Sequence, residues 1–128
     1  MRFLIDTSIL VEAERRNFDL GQWVETQNAE EVFICDVGIA EFPAGEPIGD
    51  ENKRTRFLDF WSSFVSKLPS LPLDRKVCER AGALLFIAST RRRTVPLDAL
   101  HGAVAQIASL EVLCTDTEHF SAFHAAFV

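Results

Sequence analysis

The stretch FLIDTSIL, residues 3–10, decides how this chain folds. Phe3, Leu4 and Ile5 are three large apolar residues in a row, the pattern of a strand buried on both faces, as in a parallel sheet. The run then meets a carboxylate, Asp6. Burying a charge is costly unless something pairs with it, so Asp6 needs either a capping role or a cationic partner. A short helix, Ser8–Glu14, is expected directly afterwards, and Asp6 is placed to cap it.

Working outward, three more apolar runs read as buried strands: Val32–Cys35, Ser70–Leu73 and Val112–Thr115, with a short edge strand expected from the last two residues. Helical patterns lie between them. Leu20–Thr26 forms one helix, and Asp36 is placed to cap another that starts at Val37. From Lys53 to Leu68 the residues Phe57, Leu58, Phe60, Trp61, Phe64, Val65 and Leu68 recur at 3.6-residue spacing, which predicts one long amphipathic helix. Val77, Ala81, Leu84, Leu85 and Ala88 mark a further helix, and Leu100, Ala103, Val104, Ile107 and Ala108 the last. Strands alternating with helices predict an α/β fold in which both faces of a mostly parallel, four- or five-stranded sheet are covered. Residues 1–128 read as a single domain, without repeat or linker.

Composition narrows the function. Apolar residues make up 48% and charged residues 25% of the 128, the balance of a globular protein with a substantial core. No apolar run reaches bilayer-spanning length, and Met1 onward lacks the basic and apolar regions of a signal peptide, so a cytoplasmic protein without a membrane partner is expected. Cys35, Cys78 and Cys114 are widely spaced among apolar neighbours and read as reduced core thiols. Nineteen acidic against 13 basic residues give a formal charge of −6. That excludes a protein held on nucleic acid by bulk charge, but not a nuclease whose carboxylates are neutralised by cations.

Ligand sites in parallel sheets form beyond the carboxyl ends of the strands. Asp6 ends the first strand, and Asp116 follows the strand VLCT, residues 112–115. Glu41 falls one helical turn after a strand end, among Ile39, Ala40 and Phe42, and Asp98 opens an apolar helix. Neither Glu41 nor Asp98 has a basic neighbour within two residues. Gathered carboxylates repel, and a hard divalent cation with oxygen ligands relieves the repulsion. Each acid also has a simpler role open to it: Asp6 and Asp98 as caps, Glu41 as a half-exposed helix residue, Asp116 as a turn residue.

The segments LIDTSIL (4–10), AEFPAG (40–45), PLDALHGAVA (96–105) and TDTEHF (115–120) occur in that order along the whole chain. Together they resemble the PIN domain, and in particular the compact PIN-domain ribonuclease toxins of VapBC-type toxin–antitoxin pairs. The resemblance implies an α/β/α sandwich. It implies a metal-binding, catalytic set of Asp6, Glu41, Asp98 and Asp116 for Mg2+ or Mn2+, supported by the hydroxyls of Thr7, Ser8 and Thr115. It further implies endonucleolytic hydrolysis of RNA leaving a 5′-phosphate and a 3′-hydroxyl and silencing by a cognate antitoxin protein; together with the wide apolar stripe from Phe57 to Leu68, more aromatic surface than one small core needs, it implies a homodimer. His101 and Gly102 depart from the family, which carries an apolar residue where His101 stands. The segment STRRRTVP before Asp98 departs from it as well, since Gly is usual there.

Arg91, Arg92 and Arg93 form the one dense basic run, suited either to seating substrate phosphates or to a solvated helix end; Arg15 and Arg16 are weaker candidates for the first role. His101, His119 and His124 match no zinc spacing. The aromatic residues from Phe57 to Phe64 follow helical spacing and read as core or interface. Asp19, Glu30, Glu31, Asp50, Glu51 and Asp59 read as solvated charge. Two other classes compete: a catalytically inert PIN-like domain that binds RNA or protein, and a receiver-like signalling domain. Four retained acids argue against the first. The second needs a Lys near the end of a late strand, which none of the strand ends provides.

Overall fold

The computed structural model describes residues 1–28, 31–91, 96–115 and 125–127, with side chains for all of these except 87–91 and 125–127. Five strands, β1 (Arg2–Ile5), β2 (Glu31–Cys35), β3 (Ser70–Leu71), β4 (Glu111–Cys114) and β5 (Ala125–Phe127), form one sheet in the order β3-β2-β1-β4-β5. All pairings are parallel, with Phe3 opposite Val32 on one side of β1 and opposite Glu111 on the other. The expected α/β architecture is therefore present. The helices are α1 (Thr7–Glu14), α2 (Leu20–Thr26), α3 (Asp36–Glu41), α4 (Glu51–Ser63), α5 (Arg75–Arg91) and α6 (Pro96–Ala108).

Alternation along the strands shows why both faces must be covered. Leu4, Cys35, Val112 and Cys114 belong to a core shared with Val77, Ala81 and Leu84 of α5 and Ala99, Ala103 and Val104 of α6. Their neighbours Ile5, Ile34 and Leu113 point the other way, into a core with Ile9, Leu10, Leu20, Phe42, Phe57 and Val65. Each strand feeds two apolar layers, as the period of two requires. Burying a Leu, Ile or Phe side chain contributes about 1.5–3 kcal/mol, so the residues of FLIDTSIL stabilise both layers at once.

Several boundaries differ from expectation for identifiable reasons. The helix expected over Lys53–Leu68 breaks at Phe64 (φ −127°, ψ −64°) and resumes as a 3-10 turn over Val65–Lys67. Ser63 Oγ donates to the Asp59 carbonyl (2.6 Å) and Ser66 Oγ to that of Ser62 (3.0 Å), competing with the regular ladder. Pro69 then disfavours helical geometry at Leu68. β3 stops at Leu71 because Pro72 has no N–H to donate. The last strand lies at Ala125–Phe127, one to two residues earlier than expected. Asp36 does not cap: it is the first residue of α3, Cys35 holds the cap position, and no side chain closes that end. Asp19 and Asp50, read as solvated charge, are exposed but also cap α2 and α4, accepting from Gln22 N (2.9 Å) and Lys53 N (3.0 Å). Cys35 and Cys114 are buried as expected, whereas Cys78 is exposed.

Candidate metal centre

Strand order reverses across β1: the chain runs outward through β2 and β3, then returns to add β4 and β5 on the other side. The crevice between β1 and β4 is thus the switch point at which ligands bind in open parallel sheets. Asp6 stands at its rim. Its backbone N–H donates to the Leu113 carbonyl of β4 (2.9 Å), and Thr115 N donates to Ser8 Oγ (3.3 Å). The two strand ends are thereby tied together, with the exposed Thr115 just beyond β4.

Both roles open to Asp6 are compatible in this geometry. Its Oδ2 caps α1, accepting from Ser8 N (3.2 Å) and Ser8 Oγ (2.6 Å), while the side chain stays almost fully buried. Its Oδ1 faces away from the cap, 3.7 Å from His101 Nδ1. Glu41, the last residue of α3, accepts a hydrogen bond from Thr7 Oγ1 at 2.9 Å through Oε1. The same oxygen lies 3.9 Å from His101 Nδ1. Thr7 and Ser8, adjacent on the first turn of α1, each orient one of the two carboxylates. Among the described residues, no Lys or Arg forms an ion pair with Asp6 or Glu41.

Asp98 is the third residue of α6, not its cap, because Pro96 occupies the first helical position, where a missing N–H costs nothing. Its charge sits in the first turn, favourably placed against the helix dipole. Spacing of three residues sets Asp98 and His101 on one face of α6. Asp116, the fourth acid, lies outside the described residues, as do Arg92 and Arg93; Arg91 ends α5 by its backbone. Among the described residues, no three His, Cys, Asp or Glu side chains converge into a cation-holding group. Asp6 and Glu41 are brought together, and Asp98 is delivered on the helix that carries His101.

His101 is the residue whose importance the sequence understated. It is fully buried, and its Nδ1 lies 3.1 Å from the Leu97 carbonyl as well as close to both carboxylates. Nε2 makes no well-formed hydrogen bond among the described residues, and the Cys35 side chain neighbours the ring. Burial alone disfavours the imidazolium, yet Cys35, Asp6 and the Leu97 carbonyl together hold its pKa at about 9, above the ordinary 6.5. The available signal was the three-residue step from Asp98, which ties the fate of one side chain to the other.

The PIN domain family model matches residues 3–125. No curated protein matches the chain in sequence. Solved structures do. FitAcB from Neisseria gonorrhoeae superposes with a TM-score of 0.78 at 22% identity, covering 98% of this chain and 96% of that one. VapBC2 from Rickettsia felis, bound to a DNA fragment from its promoter, gives 0.80 at 16%, covering 100% and 99%. VapC20 of Mycobacterium tuberculosis, a toxin that cleaves the sarcin–ricin loop, gives 0.69 at 12%, covering 98% and 96%. At such identities the likeness establishes the fold.

Proposed function

The chain belongs to the PIN-domain family, and on that premise we propose that residues 1–128 form a single metal-dependent endoribonuclease domain, the toxin of a type II toxin–antitoxin pair. One observation carries the reading. At the switch point Asp6 and Glu41, from different elements, turn carboxylate oxygens toward the same buried ring, each oriented by a hydroxyl of α1 and neither paired with Lys or Arg among the described residues. The raised pKa of His101 offsets part of their repulsion, and among the described residues no Lys or Arg offsets the rest.

The donor set suits Mg2+ or Mn2+, which prefer carboxylate oxygen and water over nitrogen or sulfur. Asp6 and Asp98 are the proposed central ligands, with Glu41 and Asp116 completing the cluster or holding waters. Such an ion, when bound, polarises the scissile phosphate and acidifies a water. The chain's own part is positional. Ser8 fixes the rotamer of Asp6 and Thr7 that of Glu41. Thr115 anchors the β4 end against α1. Arg91, Arg92 and Arg93 are proposed to seat the phosphates of the RNA strand.

The proposed antitoxin seat is a pair of adjoining clefts of about 370 and 460 Å³ that share Ala13, Arg16 and Phe60. Phe18, Leu20 and Phe64 wall one cleft, while Glu14, Arg56 and Asp59 line the other. An amphipathic partner segment fits that combination. Among the structural neighbours, VapBC-5 of Mycobacterium tuberculosis belongs to a family of toxin–antitoxin systems and another is a toxin–antitoxin complex from Klebsiella pneumoniae, which supports such a partner here. The proposed homodimer has less support than the aromatic spacing suggested. Phe57 is buried and stacks on Phe42 (4.7 Å), and Phe60, Trp61, Phe64 and Leu68 pack against the core. No helix among the described residues is long and apolar enough to cross a membrane.

The test is RNA cleavage by the purified chain. Activity is expected with Mg2+ or Mn2+ and lost in EDTA, and Asp6→Asn, which keeps the cap while removing a charge, should fold and fail to cut. Cleavage at the wild-type rate in EDTA sinks the metal mechanism. An Asp6→Asn variant that binds RNA and cuts it as well as wild type removes Asp6 from the centre.

A further inference from the structure

We infer that His101 is a positioning residue of the carboxylate centre: its Nδ1–H edge holds the facing oxygens of Asp6 and Glu41 in place for a divalent cation. The inference rests on the metal-dependent reading above and concerns a residue buried behind the site. Leu97 O, 3.1 Å away, is a carbonyl and can only accept, so Nδ1 carries the hydrogen. The same N–H edge lies 3.7 Å from Asp6 Oδ1 and 3.9 Å from Glu41 Oε1. Those distances exceed a hydrogen bond but leave an electrostatic attraction between the fully buried ring and the two carboxylates. Each carboxylate is already held at one point, Asp6 by Ser8 and Glu41 by Thr7. His101 is the third point, common to both.

Packing supports the assignment. The ring fills a fully buried slot whose near wall is α3. A Cβ on Gly38 would stand 2.8 Å from Ile34 Cγ1, so α3 lies this close to β2 only because residue 38 is glycine; the same Cβ would meet His101 Nε2 at an ordinary 3.8 Å, which places α3 beside the ring. Leu or Ile would occupy a slot of this kind without the cost of burying a ring nitrogen that makes no well-formed hydrogen bond. The polar ring is retained where an apolar one packs more cheaply, and its polar edge is turned toward the acids. Groups that orient metal ligands from behind typically govern 10–100-fold in affinity or rate.

Three substitutions separate positioning from filling. His101→Asn keeps an N–H near the position of Nδ1, His101→Gln moves it toward that of Nε2, and His101→Leu has none. Mn2+ binding by calorimetry and RNA cleavage are measured on the full chain, with thermal unfolding as the check on folding. We expect His101→Asn to stay within about threefold of wild type, and His101→Gln to lose about tenfold or more in Mn2+ affinity and in kcat, with KM for RNA unchanged. His101→Leu should match the Gln variant wherever it folds. If wild type binds Mn2+ and cuts RNA while Asn and Gln variants behave alike, His101 is only a core residue and the inference falls. If wild type neither binds Mn2+ nor cuts RNA, the metal-dependent reading itself falls, and this inference with it.

Discussion

Asp74 and Asp98 each follow Pro-Leu, and local propensity cannot tell them apart. The structure separates them. Asp74 is an exposed cap of α5, its Oδ1 accepting from Val77 N at 2.9 Å, while Asp98 lies half-buried inside the first turn of α6. Asp74→Asn should therefore leave stability and cleavage unchanged, and Asp74→Ala should cost about 1 kcal/mol in urea unfolding. Asp98→Asn should fold and lose more cleavage than the roughly 10–100-fold that groups behind metal ligands govern. Equal activity of the two Asn variants would reduce Asp98 to a helix-dipole residue. At this scale a residue's role is legible where it depends on its neighbours in the chain. Asp6, opposite no Lys or Arg and two residues before Ser8, is both a cap and a rim carboxylate. His101 is legible only as a core or surface histidine, because its partners Asp6 and Glu41 are 95 and 60 positions away and no periodicity encodes them.

Element α3 shows what packing adds to pattern. Its six residues are too short to be stable alone, and it is held by Val37 and Phe42, both buried. Phe42 stacks on Phe57 at 4.7 Å and meets the edge of Phe60 at 5.8 Å, pinning the helix that carries Glu41 to α4. Phe42→Ala should cost about 3–5 kcal/mol, measurable as a lower urea midpoint. Gly38→Ala should cost about 1–3 kcal/mol, since its new methyl meets Ile34 Cγ1, and it should lower Mn2+ affinity by displacing Glu41. A Gly38→Ala protein as stable as wild type would mean that α3 can shift freely on the sheet. Helix existence and type were legible from 3.6-residue spacing. The break at Phe64 was not, because the apolar spacing runs on through Val65 and Leu68 while serine hydroxyls and Pro69 undo the helix.

At the scale of the whole molecule, a chain of charge −6 must engage a polyanion if the nuclease reading holds. Among the described residues, four of the chain's 13 Lys and Arg pair with acids: Arg2 with Glu31, Arg54 with Glu46, Arg56 with Glu14 and Arg75 with Glu79. The proposed centre at the switch point is itself acidic, so phosphates need a basic approach from elsewhere. Arg91, Arg92 and Arg93 supply the one dense run, which precedes in sequence the helix α6 that delivers Asp98. The sheet's strand order, which sets that approach, was legible only as a class: alternating strands and helices imply a parallel sheet but do not say which strands flank β1. Replacing all three arginines by Ala should raise KM for RNA while leaving kcat at saturating substrate within about threefold, since position and not chemistry is lost. Each phosphate contact on a single strand contributes a salt slope of about −0.7, so loss of three flattens the slope of log K against log salt by about two units. An unchanged slope with unchanged KM would make the run a solvated helix end and leave the RNA to be gripped by another face.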